Sequence, residues 1–436
     1  MRWVVSGRHF VGAYHSVKRN RGSAGVDGVR TEDLPRFMTF NWERIGQALQ
    51  KGNYRPQPVR RVSIPKPNGG KRNLGIPTAI DRLIQQSISQ VISPTFESGF
   101  SEFSYGFRPK RNAHQALHQA NEYINEGRTW IIDLDLKSFF DRVNHDKLMS
   151  LVAKKIGDKT MLRLIRRYLE SGVMQGGVVQ VHTEGTPQGG PLSPLLSNIL
   201  LNELDSELEK RGHKFVRYAD DCSIFLTSKS AADRVLESIT DFLERKLHLE
   251  VNQTKTSICR PMKFVLLGHS FVPTYKKGER GKFRLSIAKK SWQRLKGKIK
   301  IITRKTTPIP LPDRIKKLNE LMRGWVNYFK YATGYQKLKD LDAWVRCRLR
   351  YCIWKAWKKP KRRLRAFRQL GVEESWARRF AYSRKGGWFI ASSPIMKTTV
   401  TEDRLRKRGY IPFLECFLKA KHGEDYRGYG KTAKRK

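Results

Sequence analysis

Cysteine is scarce in this 436-residue sequence, and the five cysteines form no CxxC pair and no Cys/His pattern with metal-ligand spacing. We therefore expect neither a disulfide framework nor a zinc site, and a reducing, intracellular compartment. Long apolar runs are missing as well, since no stretch approaches the about 18 residues that a transmembrane helix needs. The sequence also lacks internal repeats and low-complexity segments.

Acidic residues are few relative to basic ones: 39 Asp and Glu stand against 87 Lys and Arg, a formal net charge of +48. Self-repulsion at this charge destabilises a compact state unless a polyanion binds. Nucleic acid fits best, and an anionic membrane surface is the competing class. Residues 276–436 alone contain 47 Lys and Arg, 12 Asp and Glu, and seven of the ten Trp. Such a mixture suits phosphate contacts and base stacking, although we expect many of these Trp to lie in the core.

Two apolar segments carry closely spaced acids. WIIDLDL (130–136) predicts a short buried strand with Asp133 and Asp135 on one face near its end. FVRYADDCSIF (215–225) predicts a hairpin whose tip carries Asp220 and Asp221. Adjacent carboxylates repel each other and are costly to desolvate unless a cation neutralises them. This pair therefore indicates a site for a divalent metal or for a cluster of basic residues.

The helices predicted around these segments give an α+β order. SPLLSNILLNELDSELEKRG predicts a helix with Ser193 as its N-cap, and another is predicted from Ser230 to Leu247 with a Ser230–Asp233 capping box. The order strand, helix, hairpin, helix resembles the split β-α-β unit of polymerase palms. Catalysis by two metal ions needs carboxylates from different elements, which Asp135 and the Asp220–Asp221 pair would supply.

An ordered set of motifs along nearly the whole chain resembles bacterial group II intron-encoded reverse transcriptases, also called intron maturases. Besides RYADDCSIF, the motifs are NRGSAGVDGV (20–29), RRVSIPKPNGGKRNLGIPTAIDRLIQQ (60–86), SEFSYGFRPKRNAHQAL (101–117), DLDLKSFFDRVNHD (133–146), GTPQGGPLSPLLSN (185–198), LEVNQTKT (249–256), LLGHSF (266–271), LNELMRGWVNYF (318–329) and LDAWVRCRLRYCIWKAWK (341–358).

The resemblance implies a right-hand polymerase fold. Fingers and palm are expected in residues 1–275, an α-helical thumb/maturase (X) domain in 285–365, and a small basic DNA-binding region in 366–436. No Cys-rich HNH endonuclease segment follows. The chain thus resembles the members without that domain, which would prime from nicked or replicating DNA or from a reverse-spliced target strand.

The resemblance also assigns the catalytic residues. Asp135, Asp220 and Asp221 are implied to bind two Mg²⁺ ions, with Asp133 and Asp141 as supporting acids. Phe140 corresponds to the aromatic residue under the sugar of the incoming nucleotide, where its ring would exclude a 2′-hydroxyl. The alternative for Phe140 is a core position beside Phe139.

Four further residues are implied to contact the dNTP or the template. Lys66 and Arg72 would clasp the triphosphate, where cations offset the phosphate charge. Gln188 would lie against the nascent base pair, with Gly189 and Gly190 permitting close backbone approach. Lys255 would protonate the leaving pyrophosphate, or would instead form a structural salt bridge.

The function implied is RNA-directed DNA synthesis from a 3′-hydroxyl primer. It would be coupled to binding and splicing of the parent group II intron RNA, and to mobility by target-primed reverse transcription. The expected partners are that RNA, the DNA target and primer, and dNTPs, with no membrane, in a nucleoid-associated particle of the bacterial cytoplasm. Two alternatives stay open: a domesticated reverse transcriptase in repair or defence, and a non-catalytic RNA splicing cofactor.

Overall fold

The computed structural model describes residues 1–65, 71–175, 178–180, 184–185, 189–275 and 277–423. The chain divides into two compact units, Met1–Phe264 and Val265–Lys436. None of the helices in the described residues combines the length and hydrophobicity that crossing a lipid bilayer requires.

The first unit mixes helices and strands. Its helices are α1 (Arg2–Val5), α2 (Gly7–Asn20), α3 (Leu34–Gln50), α4 (Ala79–Glu97), α5 (Ala113–Asn125), α6 (His145–Ala153), α7 (Lys159–Leu169), α8 (Ser193–Lys210) and α9 (Lys229–Lys246). Its strands are β1 (Val59–Pro65), β2 (Lys71–Ile76), β3 (Trp130–Leu134), β4 (Val173–Gln175), β5 (Val178–Gln180), β6 (Lys214–Tyr218), β7 (Asp221–Leu226) and β8 (Ser257–Cys259).

The sheet that carries the acids has the order β6-β7-β3-β8, and every neighbouring pair in it is antiparallel. Ile132 of β3 lies opposite Ile224 of β7, and Phe215 of β6 lies opposite the same residue. All three side chains are fully buried, because α5, α8 and α9 pack against the sheet. The predicted order of strand, helix, hairpin and helix is therefore confirmed.

A second sheet, of order β2-β1-β4-β5, joins early and late parts of the first unit. β1 and β2 form an antiparallel hairpin, and β1 pairs in parallel with β4 through Val59 and Val173.

The ends of the helices differ slightly from the sequence predictions. Helix α8 includes Ser193 as its first residue, so Ser193 is not the N-cap. Helix α9 is capped by Ser228, whose hydroxyl accepts from the Ala231 amide, and not by Ser230. Ser228 and Ser230 both have the short hydroxyl that an N-cap needs, so the backbone geometry decides which of the two caps α9.

The second unit is mainly helical. Strands β9 (Val265–Leu266), β10 (His269–Pro273) and β11 (Phe283–Ile287) form a small antiparallel sheet. The helices are α10 (Lys289–Ile302), α11 (Leu311–Phe329), α12 (Tyr335–Ala356), α13 (Pro360–Gln369), α14 (Glu374–Ala381), α15 (Gly387–Ser392), α16 (Pro394–Thr399), α17 (Glu402–Arg406) and α18 (Phe413–His422).

One hydrophobic cluster runs through the helices of the second unit, from Ile287 to Phe417. The Asp342 carboxylate of α12 accepts hydrogen bonds from the backbone amides of Phe413 (2.7 Å) and Leu414 (2.9 Å) and from the Tyr410 hydroxyl (3.1 Å). Residues 285–365 and the described part of 366–436 thus share a core, and the predicted separation of 285–365 and 366–436 into two domains stays a prediction.

Candidate active site

The tip of the β6–β7 hairpin carries the paired acids. Tyr218 and Asp221 form the last strand pair, so Ala219 and Asp220 are the turn residues. Ala219 has a φ of 59°, in the left-handed region that costs a residue with a Cβ about 1–2 kcal/mol. The Arg217 guanidinium donates to the Ala219 carbonyl at 2.9 Å and holds this conformation. The turn is thereby fixed from inside the protein.

Arg217 is the centre of a buried polar network beneath the hairpin. Its guanidinium donates to both carboxylate oxygens of Asp205 on α8 (2.7 and 2.5 Å) and to the Asn198 side-chain oxygen (2.9 Å). Arg217 and Asp205 are fully buried. A buried ion pair is tolerated when its geometry satisfies both partners, as this bidentate arrangement does. The network ties the acidic hairpin to helix α8.

The segment 101–106 is also tied to this hairpin. The Tyr105 amide donates to the Arg217 carbonyl at 2.8 Å, and the Arg217 amide donates to the Phe103 carbonyl at 2.9 Å. The Asn198 side-chain amide donates to the Gly106 carbonyl at 2.9 Å. The motif SEFSYGF therefore supports the hairpin, which the sequence analysis did not predict.

Asp135 follows the last residue of β3 and is fixed by the segment 252–256. The Asn252 amide donates to the Asp135 carbonyl at 2.9 Å, and the Asp135 amide donates to the Thr256 hydroxyl at 3.1 Å. The carboxylate of Asp135 accepts from the Asn252 side-chain amide (2.8 Å) and from the Lys255 ammonium (3.0 and 3.3 Å). The motif LEVNQTKT therefore positions Asp135.

The acids at the end of β3 and those at the tip of the β6–β7 hairpin repel each other. Burial, with repulsion by Asp135, raises the pKa of Asp133 to about 6. Although the Asp221 side chain reaches the surface, partial burial and then repulsion by Asp220, Asp133 and Asp135 raise its pKa to about 6 as well. Lys255 opposes this shift in the pKa of Asp221. The site holds more negative charge than one lysine can offset, which favours binding of a divalent cation.

The carboxylates do not by themselves form a ready-made metal cage. Within the described parts of the chain, no group of three or more His, Cys, Asp or Glu side chains is arranged to hold a metal ion. Asp135 is engaged by Lys255 and Asn252 instead. The metal-ligand assignment of Asp135, Asp220 and Asp221 is implied by the family resemblance, and it stays a prediction.

Phe140 lies in a short 3₁₀ helix, Phe139–Asp141, directly after the segment that follows β3. Only 9% of its side chain is exposed, and its ring packs edge-on against Phe139 at a centroid distance of 5.2 Å. The structure thus places Phe140 in the core as the alternative expected. Its proposed contact with the sugar is untested.

The remaining predicted contacts lie largely outside the described residues. Lys66 and Gln188 lie outside the described residues. Arg72 is described only by its backbone, which pairs with Ile64 in the β1–β2 hairpin. Gly189 has a φ of 125°, and a Cβ there would lie 2.5 Å from the Gly75 carbonyl oxygen. Gly189 therefore lies against strand β2, and the predicted approach of Gly189 and Gly190 to the nascent base pair stays a prediction.

Comparisons with known proteins agree with the motif order. The family model for reverse transcriptase (RNA-dependent DNA polymerase) matches residues 64–271, and the model for the maturase-specific domain of group II introns matches residues 292–371. Protein YkfC of Escherichia coli (strain K12) is 34% identical over 287 residues, which cover 57% of this chain and 75% of YkfC.

Other relatives are matched over a smaller part of their length. The group II intron-encoded protein LtrA of Lactococcus lactis subsp. cremoris is 39% identical over 206 residues, covering 47% of this chain and 34% of LtrA. The chain thus spans only about a third of LtrA. Among solved structures, the Candida albicans telomerase in complex with telomeric RNA has a TM-score of 0.39 at 13% identity, covering 79% of this chain and 68% of the telomerase.

Proposed function

Because the chain belongs to the reverse transcriptases that carry a group II intron maturase-specific domain, we propose that it synthesises DNA on an RNA template from a primer 3′-hydroxyl. The observation that carries this proposal is the shared negative field of Asp133, Asp135, Asp220 and Asp221, which two neighbouring elements of one sheet bring together inside the matched region.

We propose that Asp135, Asp220 and Asp221 hold two Mg²⁺ ions. Bound there, the ions would lower the pKa of the primer hydroxyl and stabilise the charge of the leaving pyrophosphate. Arg217 and its partners keep the acidic turn in place, so that the carboxylates need not reorganise during the reaction. Lys255, which forms an ion pair with Asp135, is proposed to reach the pyrophosphate when a nucleotide is bound.

The wider function includes binding and splicing of a group II intron RNA and its return to DNA. The maturase-specific match and the basic second unit support this proposal. On helix α11, Ile315, Leu318 and Met322 are buried. Lys316 and Arg323 are exposed and available to phosphates.

Primer extension tests the polymerase assignment directly. An RNA template, a DNA primer, dNTPs and Mg²⁺ are supplied to the wild type, to Asp220→Asn and to Asp241→Asn. Asp241 is an exposed acid of α9 paired with Arg245 and serves as the matched control. We expect Asp220→Asn to lose about a hundredfold or more in rate, because losing a metal ligand forfeits several kcal/mol of charge stabilisation.

RNA affinity separates the alternatives. The Asp220→Asn variant should bind RNA almost as the wild type does, and full synthesis by this variant would refute the metal assignment. A wild type that binds RNA tightly without any synthesis would favour the non-catalytic splicing cofactor. A catalytic RNA encoded in the flanking DNA would separate an intron-borne enzyme from a domesticated one.

A further inference from the structure

Four large aromatic side chains are exposed in a short part of the second unit. The exposed fractions are 47% for Trp376, 56% for Tyr382, 44% for Trp388 and 50% for Phe389. All four lie beyond residue 371, where the match to the maturase-specific model ends. Large aromatic side chains that are exposed so near each other in the sequence point to an interaction surface.

Trp376 lines a cleft of about 360 Å³, a volume within the range of small-ligand sites. The Phe380 ring stacks on the indole of Trp376, with centroids 5.7 Å apart and planes inclined by 20°. Leu370, Val372 and Ile395 line other parts of the cleft. The cleft therefore offers a held aromatic face between apolar and polar walls, which suits a flat ring with a polar edge.

The same cleft has a polar edge. The Arg404 guanidinium donates to the carbonyls of Thr399 (2.6 Å) and Leu370 (3.1 Å), so its position is fixed by the backbone. The exposed Thr398 and Glu373 also line the cleft. The cleft thus presents a guanidinium and a carboxylate that can bond the polar edge of a nucleobase, while the Thr398 hydroxyl donates to the Pro394 and Ile395 carbonyls of its own helix.

The charges around the rings favour a polyanion. Glu374 is neutralised by Arg368 and Arg378, whose hydrogen bonds lower its pKa to about 2. Arg379 and Arg384 are exposed nearby in the sequence. The Lys385 ammonium lies 4.4 Å from the centroid of the Phe389 ring. Cations interleaved with stacking rings are the combination that binds single strands.

The second exposed tryptophan is also held in place. Gly387 brings α15 against α12, because a Cβ at this position would lie 2.9 Å from the side chain of Lys355 and 3.1 Å from the Tyr351 ring. The Trp388 ring consequently packs edge-on against Tyr351, with a centroid distance of 5.9 Å. Two rings, Trp376 and Trp388, are thus fixed by packing while remaining accessible.

We propose that residues 370–404 bind single-stranded DNA, with one unpaired base entering the cleft and stacking on Trp376. Duplex DNA does not fit this cleft, because its bases are already stacked and paired. The inference rests on the proposed function, which places a DNA strand on this protein, and it specifies how the basic region holds that strand.

The test is equilibrium binding of the full chain to a labelled oligo-dT, followed by fluorescence anisotropy. Binding of a duplex DNA, an oligo-U and an abasic DNA strand, all of the same length as the oligo-dT, is measured in parallel. Trp376→Ala should weaken oligo-dT binding about tenfold or more, while duplex binding changes less than about twofold. The abasic strand should bind the wild type and the variant equally. Trp376→Phe should restore most of the affinity.

Tyr335→Ala is the matched control, because Tyr335 has the same 47% exposure on α12 and lies outside the cleft. It should bind oligo-dT as the wild type does. An equal loss with Tyr335→Ala, an equal loss on duplex, tighter binding of oligo-U than of oligo-dT, or unchanged binding by Trp376→Ala would each overturn the inference. Primer extension by the wild type is measured separately, so that failure of the polymerase proposal is distinguishable from failure of this inference.

Discussion

The two units of the chain differ in the balance of their charges. The first unit buries charged side chains: Arg217 is paired with Asp205 at full burial, and the Asp81 carboxylate accepts from the hydroxyls of Tyr54 (2.8 Å) and Tyr168 (3.1 Å). The second unit is dominated by exposed basic residues, and residues 276–436 contain 47 Lys and Arg against 12 Asp and Glu. Buried pairs fix geometry, whereas exposed cations serve binding to a polyanion.

The difference follows from what each unit is proposed to do. Catalysis needs carboxylates held in one arrangement, and a buried, fully paired arginine provides that rigidity at the cost of desolvation. Phosphate contacts need cations that meet solvent, since their binding depends on release of counterions. Asp342, Arg314 and Arg350 depart from this division, because all three are buried within the basic unit. Substitutions at buried and exposed charges of each unit test this difference.

The largest effect is expected from Arg217→Met. The change leaves the Asp205 carboxylate buried without its cation, which should lower the free energy of unfolding by about 3–5 kcal/mol. Urea titration of the full chain measures it. Arg211→Met is the control, since Arg211 pairs with Glu207 at the surface and should cost less than about 1 kcal/mol. Equal losses would remove the distinction between buried and exposed charge.

A smaller effect is expected from Asp342→Asn in the second unit. The amide group keeps one acceptor oxygen, so part of the bonding to Tyr410, Phe413 and Leu414 is lost, at a cost of about 1–3 kcal/mol. Hydrogen exchange at the Phe413 and Leu414 amides should become faster. Asp340→Asn, at an exposed position of the same helix, should leave this exchange unchanged. A loss as large as that of Arg217→Met would show that both units depend equally on buried charge.

The smallest effect is expected from Asp133→Asn, and it should depend on pH. The folded protein raises the pKa of Asp133 to about 6, so the folded state binds this proton more tightly than the unfolded state does. Stability is therefore lost as the pH rises from about 4 through 6. In metal-free buffer the variant should be more stable than the wild type by about 1–2 kcal/mol above pH 6, after allowance for partial exposure.

Below about pH 4 the extra stability of Asp133→Asn should disappear, because the Asp133 carboxyl of the wild type is then protonated and as neutral as the asparagine of the variant. Asp146→Asn is the control, since that carboxylate is 85% exposed. A stability difference that is the same at pH 4 and pH 8 would contradict the repulsion between the acids, and with it the contrast between the acidic site and the basic second unit.

Local patterns in the sequence predicted the core elements well. Short apolar segments predicted β3 and the β6–β7 hairpin, and the segment SPLLSNILLNELDSELEKRG predicted helix α8, in which Leu196, Leu200 and Leu208 are buried. These predictions succeeded because the apolar residues of a single helix or strand are buried whatever elements pack against them. The family resemblance supplied the order of motifs, and the matched models confirm it.

Contacts between elements could not be read from such patterns. The pairing of Arg217 with Asp205 and Asn198 depends on how α8 packs on the hairpin, although a charged residue within the apolar run FVRY was a usable signal. The burial of Phe140 was undecided for the same reason, because an aromatic pair fits a core and a nucleotide site equally. The exposure of Trp376 likewise depends on which face of α14 its neighbours cover.

The pairing of β1 with β4 has a consequence for the order of folding during synthesis. Val59 cannot meet Val173 until more than a hundred further residues have left the ribosome, and β3 must wait longer for β8. Sheets with such distant partners form slowly and leave strand edges open in the meantime. The sheet of β9, β10 and β11, by contrast, closes between near neighbours in the chain. A ribosome pausing before Ser257 would therefore expose the edge of β3 to other nascent chains.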